Sequence, residues 1–351
     1  MRKFFSIALA VFLISWVVDA SAQMNRRAIK KNNKKMSNFR GQKSWFGKEK
    51  IYNMAGISVS ALNYYGDLSP RPSRFSTDIN FTRPAVSLVF SHRFGPRYAV
   101  TASFMYGTLK GDDSESADQN DTANGIYRYQ RNLSFRNRIK ELGVVGSFDL
   151  FPNTATYISR VKWTPYGFVG ISGILHNPQA LAPANDLNGN PLSDAGEWVD
   201  LQPLGTEGQN AALLPDDVNS GMKDYKKFQA AIPFGIGVRF KVSEILDFSV
   251  ETGFRYLFTD YIDDVSQNYV DLGVFGGDEL ARAMSYRSNE LNSPNQTYVG
   301  RDGQTYSVLG GYGAEHPDNL RGSEKDKDVF MVTTFKLTFI LGKSMNTAKF
   351  R

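Results

Sequence analysis

The stretch that decides the fold is LDFSVETGFRYLFTDYIDDVS, residues 246–266. In its first half apolar side chains alternate with polar and charged ones, and this period of two is typical of a β-strand with two different faces. The apolar face ends in Phe254, Tyr256 and Phe258, where an acidic segment begins. An apolar outside, a charged inside and aromatic residues near the strand end are typical of a transmembrane barrel. A soluble lipocalin-like barrel has the same alternation with its faces reversed, so this strand alone does not separate the two.

Seven further segments alternate in a similar way, and we predict that each forms a strand. They are residues 51–64, 84–92, 98–106, 133–150, 163–175, 228–242 and 329–341. The fifth strand of the resulting eight, 163–175, is moderately apolar on both sides, so its faces stay unassigned. Connections between these strands are alternately short and long. Short turns at one end and long loops at the other are typical of outer-membrane barrels, whereas a soluble barrel has no reason for this pattern.

The sequence therefore predicts an all-β fold, namely an eight-stranded antiparallel transmembrane β-barrel with long extracellular loops over residues 51–343. Residues 344–351 are left as a C-terminal tail. Because the strand count is even, both termini are expected on the side of the short turns, which is the periplasm in a bacterial outer membrane.

The first 22 residues have the features of a secretory signal peptide. Arg2 and Lys3 precede an apolar run, and Ala20-Ser21-Ala22 supplies the small residues of a cleavage site. An uncleaved anchor is the alternative, but the apolar run is short for a membrane span. The chain contains no cysteine, which excludes a disulfide framework, a thiolate metal site and a lipidated N-terminal cysteine.

Residues 23–50 form a basic segment with ten Lys and Arg side chains and a single acid, Glu49. Its first six basic residues are Arg26, Arg27, Lys30, Lys31, Lys34 and Lys35. High charge and little apolar surface predict an arm that is disordered by itself. The arm is either a solvated leader or a segment that binds an acidic periplasmic protein or anionic lipid head groups. Nucleic acid suits its charge but not its compartment.

An eight-stranded barrel has an interior just wide enough for side chains to fill. The predicted inward positions carry charges of both signs, at Arg97, Glu141, Asp149, Arg239, Glu251, Arg255 and Lys336. Glu251 and Arg255 lie two inward steps apart on one strand, and we expect them to reach common partners. We expect all these charges to be paired, because a buried unpaired charge is costly. A path for protons or small ions is the alternative interpretation.

Signs of catalysis or of a metal centre are few. The three histidines, His92, His176 and His316, have neither metal-ligand spacing nor a nucleophile arranged beside them, so we expect no enzyme activity and no cofactor. Five residues occupy ligand positions of a calcium-binding loop: Asp186, Asn188, Asn190, Asp194 and Glu197. However, Pro191 stands where such a loop needs glycine, and a polar external loop explains the same residues.

Three segments resemble a known family. LNYYGDLS at 62–69, LQPLGTEGQ at 201–209 and FRYLFTDYIDDVS at 254–266 are similar to the outer-membrane barrels that include the PorG component of the type IX secretion system. The last segment is the most specific, through Tyr256, Thr259, Asp260, Tyr261, Asp263 and Asp264. The resemblance runs over residues 51–343 and implies an OmpA-like barrel from a Bacteroidota bacterium, without enzymatic activity. It also implies association with a periplasmic ring of the lipoprotein PorK and of PorN, beneath a translocon that exports proteins and gliding adhesins.

Two functions from different classes therefore remain open. The first is a non-catalytic scaffold, in which the barrel holds a periplasmic assembly at the outer membrane through its short turns and basic arm. The second is a small OmpA-like porin or surface receptor, in which the long loops bind a ligand or an ion. The first places the function on the turn side of the barrel, and the second places it in the lumen or the loops.

Overall fold

The computed structural model describes residues 50–68, 79–325 and 327–341. Twelve strands lie in these ranges: β1 (Tyr52–Tyr65), β2 (Arg83–Arg93), β3 (Tyr98–Asp112), β4 (Ser134–Asp149), β5 (Trp163–Leu175), β6 (Pro178–Leu181), β7 (Trp198–Asp200), β8 (Phe228–Lys241), β9 (Leu246–Leu257), β10 (Gln296–Val299), β11 (Thr305–Val308) and β12 (Val329–Leu341). The α-helices are α1 (Asp113–Ser116), α2 (Gly125–Arg131) and α3 (Glu279–Ser285), and 3-10 helices occur at Ile79–Phe81, Gln202–Leu204, Leu272–Phe275 and Ser288–Glu290. Among these described elements, no helix has the length and apolarity needed to cross a bilayer.

Eight of the strands form a closed antiparallel barrel. Their order is β3-β2-β1-β12-β9-β8-β5-β4, and β4 pairs back onto β3 to close the sheet. The first and last barrel strands are neighbours, with Asn53 opposite Leu341. The predicted all-β, eight-stranded fold is therefore confirmed.

The predicted strand positions agree closely with the structure. β5 and β12 have the predicted bounds, and the other barrel strands begin within one residue of the predicted start. The main difference is β3, which continues to Asp112 although the apolar alternation ends at Tyr106. Its outward residues beyond that point, Thr108 and Lys110, are polar because this part of the strand rises above the apolar wall. The hydrophobic pattern carries no signal there.

Connections alternate in length as predicted. The short ones are residues 94–97, 150–162 and 242–245, and the long ones are residues 66–82, 113–133, 176–227 and 258–328. We call the described parts of the long connections the cap. The cap has its own apolar cluster, formed by Tyr269, Leu272, Tyr286, Tyr306, Val308, Leu309 and Tyr312. The strands β6 and β7 extend the barrel sheet from β4 into the cap, and β10 and β11 form a separate hairpin.

The outer wall of the barrel is apolar. Leu88 is 65% exposed and Ile236 is 66% exposed, at the middle of their strands. Further outward residues are Ile57, Val59, Val86, Phe90, Phe104, Leu142, Val144, Val169, Ile171, Phe234, Phe335 and Phe339. On β5, which the sequence left unassigned, Tyr166 and Ile174 face inward. A continuous apolar wall of this extent is solvated by lipid and not by water, so the soluble alternative with inward apolar rows is wrong.

Several predictions fall on residues outside the described ranges. The signal peptide at 1–22, the basic arm except for Lys50, and the tail at 344–351 lie there. The arm residues Arg26, Arg27, Lys30, Lys31, Lys34 and Lys35 belong to this set. These assignments stay predictions.

Replacing Leu88 with Arg tests whether the outer wall faces lipid. We expect L88R to lower the free energy of unfolding by about 2–4 kcal/mol, because the charged side chain must enter the apolar layer of the bilayer. Urea-induced unfolding in phospholipid vesicles measures this change. Leu214→Arg is the matched control, since Leu214 is a similarly exposed leucine in the cap. Equal small effects of the two substitutions would contradict a lipid-facing wall.

Candidate functional site

The turn side of the barrel lumen is filled by paired charges. Asp149 of β4 is fully buried, and it accepts hydrogen bonds from Arg93 and from Arg239, the latter at 3.0 Å. Asp247, on the inner face of β9, binds Arg160 of the 150–162 turn at 2.7 Å. Each of these buried carboxylates thus has a guanidinium partner, which offsets the cost of removing both charges from water.

Farther along the lumen, two more ion pairs link strands. Glu251 of β9 pairs with Lys336 of β12 and also accepts a hydrogen bond from the Tyr166 hydroxyl of β5. Arg255 donates to Glu141 of β4 with an Nε to Oε1 distance of 2.9 Å. The expected pairing of the inward charges is confirmed for these residues. The expectation that Glu251 and Arg255 share partners is wrong, because they contact different strands.

The prediction that Arg97 faces the lumen is wrong. Arg97 lies in the turn between β2 and β3, and its guanidinium donates to the carbonyl oxygens of Asp149 and Leu150. It also lies 5.5 Å from the ring of the outward residue Phe148. The strict alternation of faces holds only within a strand, and residue 97 precedes the first residue of β3. Next to this turn, the arginine that faces the lumen is Arg93, the last residue of β2, which binds Asp149.

The loop side of the lumen is an apolar core. Ile262 and Val265 of the cap pack among inward side chains of the barrel, including Leu62, Met105, Leu109, Phe135, Ile139, Ile174, Leu257 and Phe330. The carbonyl oxygen of Ile262 accepts a hydrogen bond from the Asn137 amide at 2.7 Å. We call residues 259–266 the seal, because they close the barrel mouth. A cavity of about 60 Å³ remains among the polar lumen residues, which is room for a few water molecules.

Two carboxyl groups, one of them in the seal, share one tyrosine hydroxyl. The Tyr64 hydroxyl lies 2.7 Å from Oδ2 of Asp263 and also within hydrogen-bond distance of Asp328. Asp263 further accepts the backbone N–H of Leu68 at 3.1 Å, and Asp328 accepts that of Ile262 at 2.8 Å. One hydroxyl has one proton to donate, so it serves one carboxylate at a time. A proton retained on either acid relieves the repulsion between them.

A second group of contacts joins the 201–209 segment to the seal. Asp264 has a left-handed backbone with φ 68°, and its carboxylate accepts hydrogen bonds from Thr206 at 2.5 Å and Tyr225 at 2.6 Å. Arg321 donates to Glu207 at 3.0 Å and to the carbonyl oxygen of Asp264 at 2.6 Å. The three segments that carry the family resemblance therefore meet at one place, where they hold the barrel mouth closed.

Most residues of the segment 254–266, the most specific part of the family resemblance, lie in this seal. Those in the seal are Thr259, Asp260, Tyr261, Asp263 and Asp264, all but Tyr261 buried. Tyr261 stacks on Tyr225 with ring centroids 4.7 Å apart. Tyr256 is the exception, because it faces outward and packs edge-on against Phe258 at 5.9 Å. Its position at the end of the apolar wall is typical of an aromatic residue at a membrane interface.

Several residues of this site were missed in the sequence. They are Arg93, Arg160, Tyr225, Arg321 and Asp328, together with Arg131, which binds Asp113 at 2.8 Å and the carbonyl oxygens of Asp67 and Arg321. A lone charged residue in a long polar loop looks solvent-exposed in a sequence. Arg93 is the one that strand alternation signals, since it continues the inward series of Ser87 and Ser91.

Local hydrogen bonds of Asp186 organise the candidate calcium loop at residues 186–197. The Asp186 carboxylate accepts the backbone N–H groups of Asn188 at 2.9 Å and Asn190 at 2.7 Å, which makes a tight local turn. In the described part of the chain, no three His, Asp or Glu side chains are grouped to hold a metal ion. These contacts are typical of a polar loop, and calcium binding by this segment, which also contains Asp194 and Glu197, stays a prediction.

The histidines occupy three different settings. His92 lies near the turn side, with Nδ1 at 2.6 Å from the Asn53 side-chain oxygen. His176 is buried below the cap and stacks on Tyr225 at 6.0 Å. Burial lowers the pKa of His176 to about 4, so its ring is neutral at pH 7. His316 is exposed in the cap.

Comparisons with known proteins give one family match and several remote matches to outer-membrane proteins of known structure. Residues 43–190, less than half of the chain, match a family described as a domain of unknown function, DUF6089. No curated protein sequence matches.

The outer membrane protein OprG from Pseudomonas aeruginosa is 8% identical with a TM-score of 0.32, and the match covers 85% of this chain and 99% of OprG. A major outer membrane protein from Thermus thermophilus is 9% identical with a TM-score of 0.34, covering 82% and 99%. The attachment invasion locus protein Ail of Yersinia pestis is 7% identical with a TM-score of 0.30, covering 83% and 97%.

Asp149→Asn tests the paired charges of the lumen. This change leaves Arg93 and Arg239 without their carboxylate, and we expect the free energy of unfolding to fall by about 3–5 kcal/mol. Urea-induced unfolding of the full chain in phospholipid vesicles measures the loss. Glu197→Gln removes one negative charge from an exposed cap residue, and we expect its effect to stay within about 0.5 kcal/mol. Similar stabilities of D149N and E197Q would argue against a lumen held by ion pairs.

The carboxyl groups of the seal predict a pH-dependent stability. Burial raises the pKa of Asp328 to about 7 and that of Asp260 to about 8. Burial, together with Asp328 and other carboxylates, also raises the pKa of Asp263. These groups hold a proton more tightly when folded, so their contribution to stability is complete below about pH 4 and is lost as the pH rises toward about 8.

We therefore expect backbone hydrogen exchange in residues 259–266, corrected for the intrinsic rate, to be faster at about pH 9 than at about pH 6. Asp328→Asn should weaken this dependence, because one of the three acids no longer ionises. Asp318→Asn is the control, since Asp318 is an exposed acid of the cap. Exchange that does not change with pH in the unmodified chain would disprove this account of the seal.

Proposed function

We propose that this chain is a non-catalytic β-barrel of the bacterial outer membrane that anchors a periplasmic assembly. We further propose that it is a PorG-like component of the type IX secretion system, with its termini in the periplasm and the ring of PorK and PorN as its partner. Support for this role comes from the three segments of the family resemblance. They are far apart in the sequence, yet together they build the seal of the barrel mouth.

The filled lumen is the observation that carries the proposal of an anchor. Ion pairs occupy the turn side of the lumen and an apolar core occupies the loop side. The remaining cavity of about 60 Å³ is too small for a hydrated solute. A barrel that offers no passage can still hold a partner at the membrane through its surface.

The turn side is the surface we assign to the partner. The short turns at 94–97, 150–162 and 242–245 lie at this end, as do the start of β1 and the end of β12. The basic arm directly precedes β1 in the sequence. An arm with ten basic residues is suited to an acidic protein surface close to the inner leaflet.

A surface receptor is the second candidate, and one observation favours it. The cap is an ordered structure with a core of its own, formed mainly by tyrosine and leucine side chains. An ordered external surface is suited to ligand binding. The porin form of this alternative has less support, because the lumen is filled.

The partner proposal is tested by affinity purification of the tagged full-length protein from outer membranes. We expect PorK- and PorN-type proteins to be recovered with it, and deletion of residues 24–50 to abolish that recovery. A second variant changes Arg26, Arg27, Lys30, Lys31, Lys34 and Lys35 to Gln, which keeps the arm length and removes most of its charge. Heat-dependent migration on a gel shows whether each variant still contains a folded barrel. Undiminished recovery with both variants would exclude the arm as the binding element.

Single-channel recording in planar bilayers separates the anchor from the porin. We expect the purified full-length protein to show no steady conductance, because ion pairs and an apolar core fill the described part of the lumen. The matched comparison is the double variant Arg255→Ala and Glu141→Ala, which removes one ion pair and enlarges the cavity. Steady conductance of the unmodified protein would favour the porin.

A further inference from the structure

We propose that three outward cations on β4, Arg136, Arg138 and Lys140, bind the phosphate groups of an anionic lipid in the outer leaflet of the membrane. We call these three residues the cationic ladder. The inference rests on the proposed outer-membrane location with the cap outside, and it is independent of any periplasmic partner. The probe chemistry is a phosphorylated glycolipid of the lipid A type.

The ladder lies where the apolar wall ends. Arg136, Arg138 and Lys140 alternate with the buried residues Asn137, Ile139 and Glu141, so all three side chains point outward. Consecutive members are about 7 Å apart along the strand. The next outward residue toward the turn side is Leu142, which is 63% exposed. The ladder therefore extends from the edge of the apolar wall toward the cap, at the depth of lipid head groups.

The neighbours of Lys140 mark this edge as well. In the strand register Lys140 lies opposite Tyr106 of β3 and Leu175 of β5. Tyr106 is 43% exposed and Leu175 is 51% exposed. A lysine with a tyrosine and a leucine beside it places its methylene groups along apolar surface and its ammonium group at the polar boundary.

The charges of the ladder have no protein counterion in the described part of the chain. None of the three forms a salt bridge, whereas Lys110, opposite Arg136 on β3, pairs with Glu115 at 2.6 Å. The one acid between Arg138 and Leu142 is Glu141, which faces inward and binds Arg255. Three adjacent positive charges without a protein counterion favour the binding of an external anion.

Outward charged side chains are distributed unevenly around the barrel wall. All eight barrel strands are described in full, and the one acid on an outward position is Asp112, the last residue of β3, whose carboxylate accepts hydrogen bonds from Ser114 and the Glu115 N–H. The outward Lys and Arg side chains, Lys110 and the three of the ladder, are confined to the adjacent strands β3 and β4. Positive charge is thus concentrated in one sector, which is suited to a specific contact with a head group.

The upper end of the ladder is held in place. The Arg136 guanidinium lies 3.7 Å from the ring centroid of Trp198, and its Nε donates to the Gln179 side chain at 3.2 Å. These contacts come from β6 and β7, the strands that extend the sheet beyond the barrel. They leave the two terminal nitrogens of Arg136 for a ligand. A guanidinium fixed by stacking is a favourable partner for a phosphate.

A phosphorylated lipid fits these observations better than a neutral lipid. Several cations at head-group depth attract anionic lipids through charge, and stacked arginine adds paired hydrogen bonds to phosphate oxygens. Acyl chains of the same lipid would lie on the apolar wall below, against Leu142, Val144 and Tyr106. One molecule would then contact both the ladder and the wall.

Native mass spectrometry of the full-length protein in detergent tests this proposal. The probe is bis-phosphorylated lipid A, compared with lipid A from which both phosphates have been removed. We expect the phosphorylated form to bind the unmodified protein more tightly. The triple variant Arg136→Gln, Arg138→Gln and Lys140→Gln should lose about 30- to 100-fold in affinity for it.

The control variant is Lys162→Gln, Lys223→Gln and Lys325→Gln, which removes the same charge from three exposed positions outside the ladder. We expect it to bind phosphorylated lipid A as the unmodified protein does. Equal losses in both variants, or equal binding of the two lipid A forms, would overturn the proposal. Competition by inorganic phosphate as effective as by lipid A would replace the lipid by free phosphate and would overturn it as well. Heat-dependent migration on a gel shows whether each variant has a folded barrel. An unmodified protein that is unfolded, or soluble in water without detergent, would refute the membrane barrel itself.

Discussion

Closure of the sheet is the constraint on which the rest of this structure depends. Pairing of β3 with β4 leaves no free edge among the eight barrel strands, and it makes the interior only a few side chains wide. Every inward polar group must then find its partner inside that narrow space. Asp149 with its two arginines, and Glu251 with Lys336 and Tyr166, are the result.

The two ends of the lumen are filled by different kinds of side chain. On the turn side, paired charges fill it, and their partners come from strands that are distant in the sequence. On the loop side, the seal inserts Ile262 and Val265 into an apolar core. The apolar core resists water entry by burial, and the acids above it, Asp263 and Asp328, join the seal to Tyr64 of β1.

The outer surface of the barrel changes character where the apolar wall ends. Around most of the barrel the strand residues facing outward are apolar, aromatic or small, as lipid contact requires. On β3 and β4 the strands continue above the wall and carry cations there, and β6 and β7 support them with Trp198. The extension of β3 was not predicted from the hydrophobic pattern, because its outward residues above the apolar wall are polar.

Strand number, order of short and long connections, and the inward position of charges such as Glu251 and Lys336 were determined by the sequence alone. Successive side chains of a strand point to opposite faces, so a period of two shows which residues face inward. Short turns and long loops lie at opposite ends of a membrane barrel, so connection length shows which end is which. Tertiary structure decided which charges meet, that Arg93 and not Arg97 enters the lumen, and that Asp328 and Arg321 complete the seal. Those contacts join residues from different strands and loops, so their pairing depends on barrel register and loop packing, which no local pattern encodes.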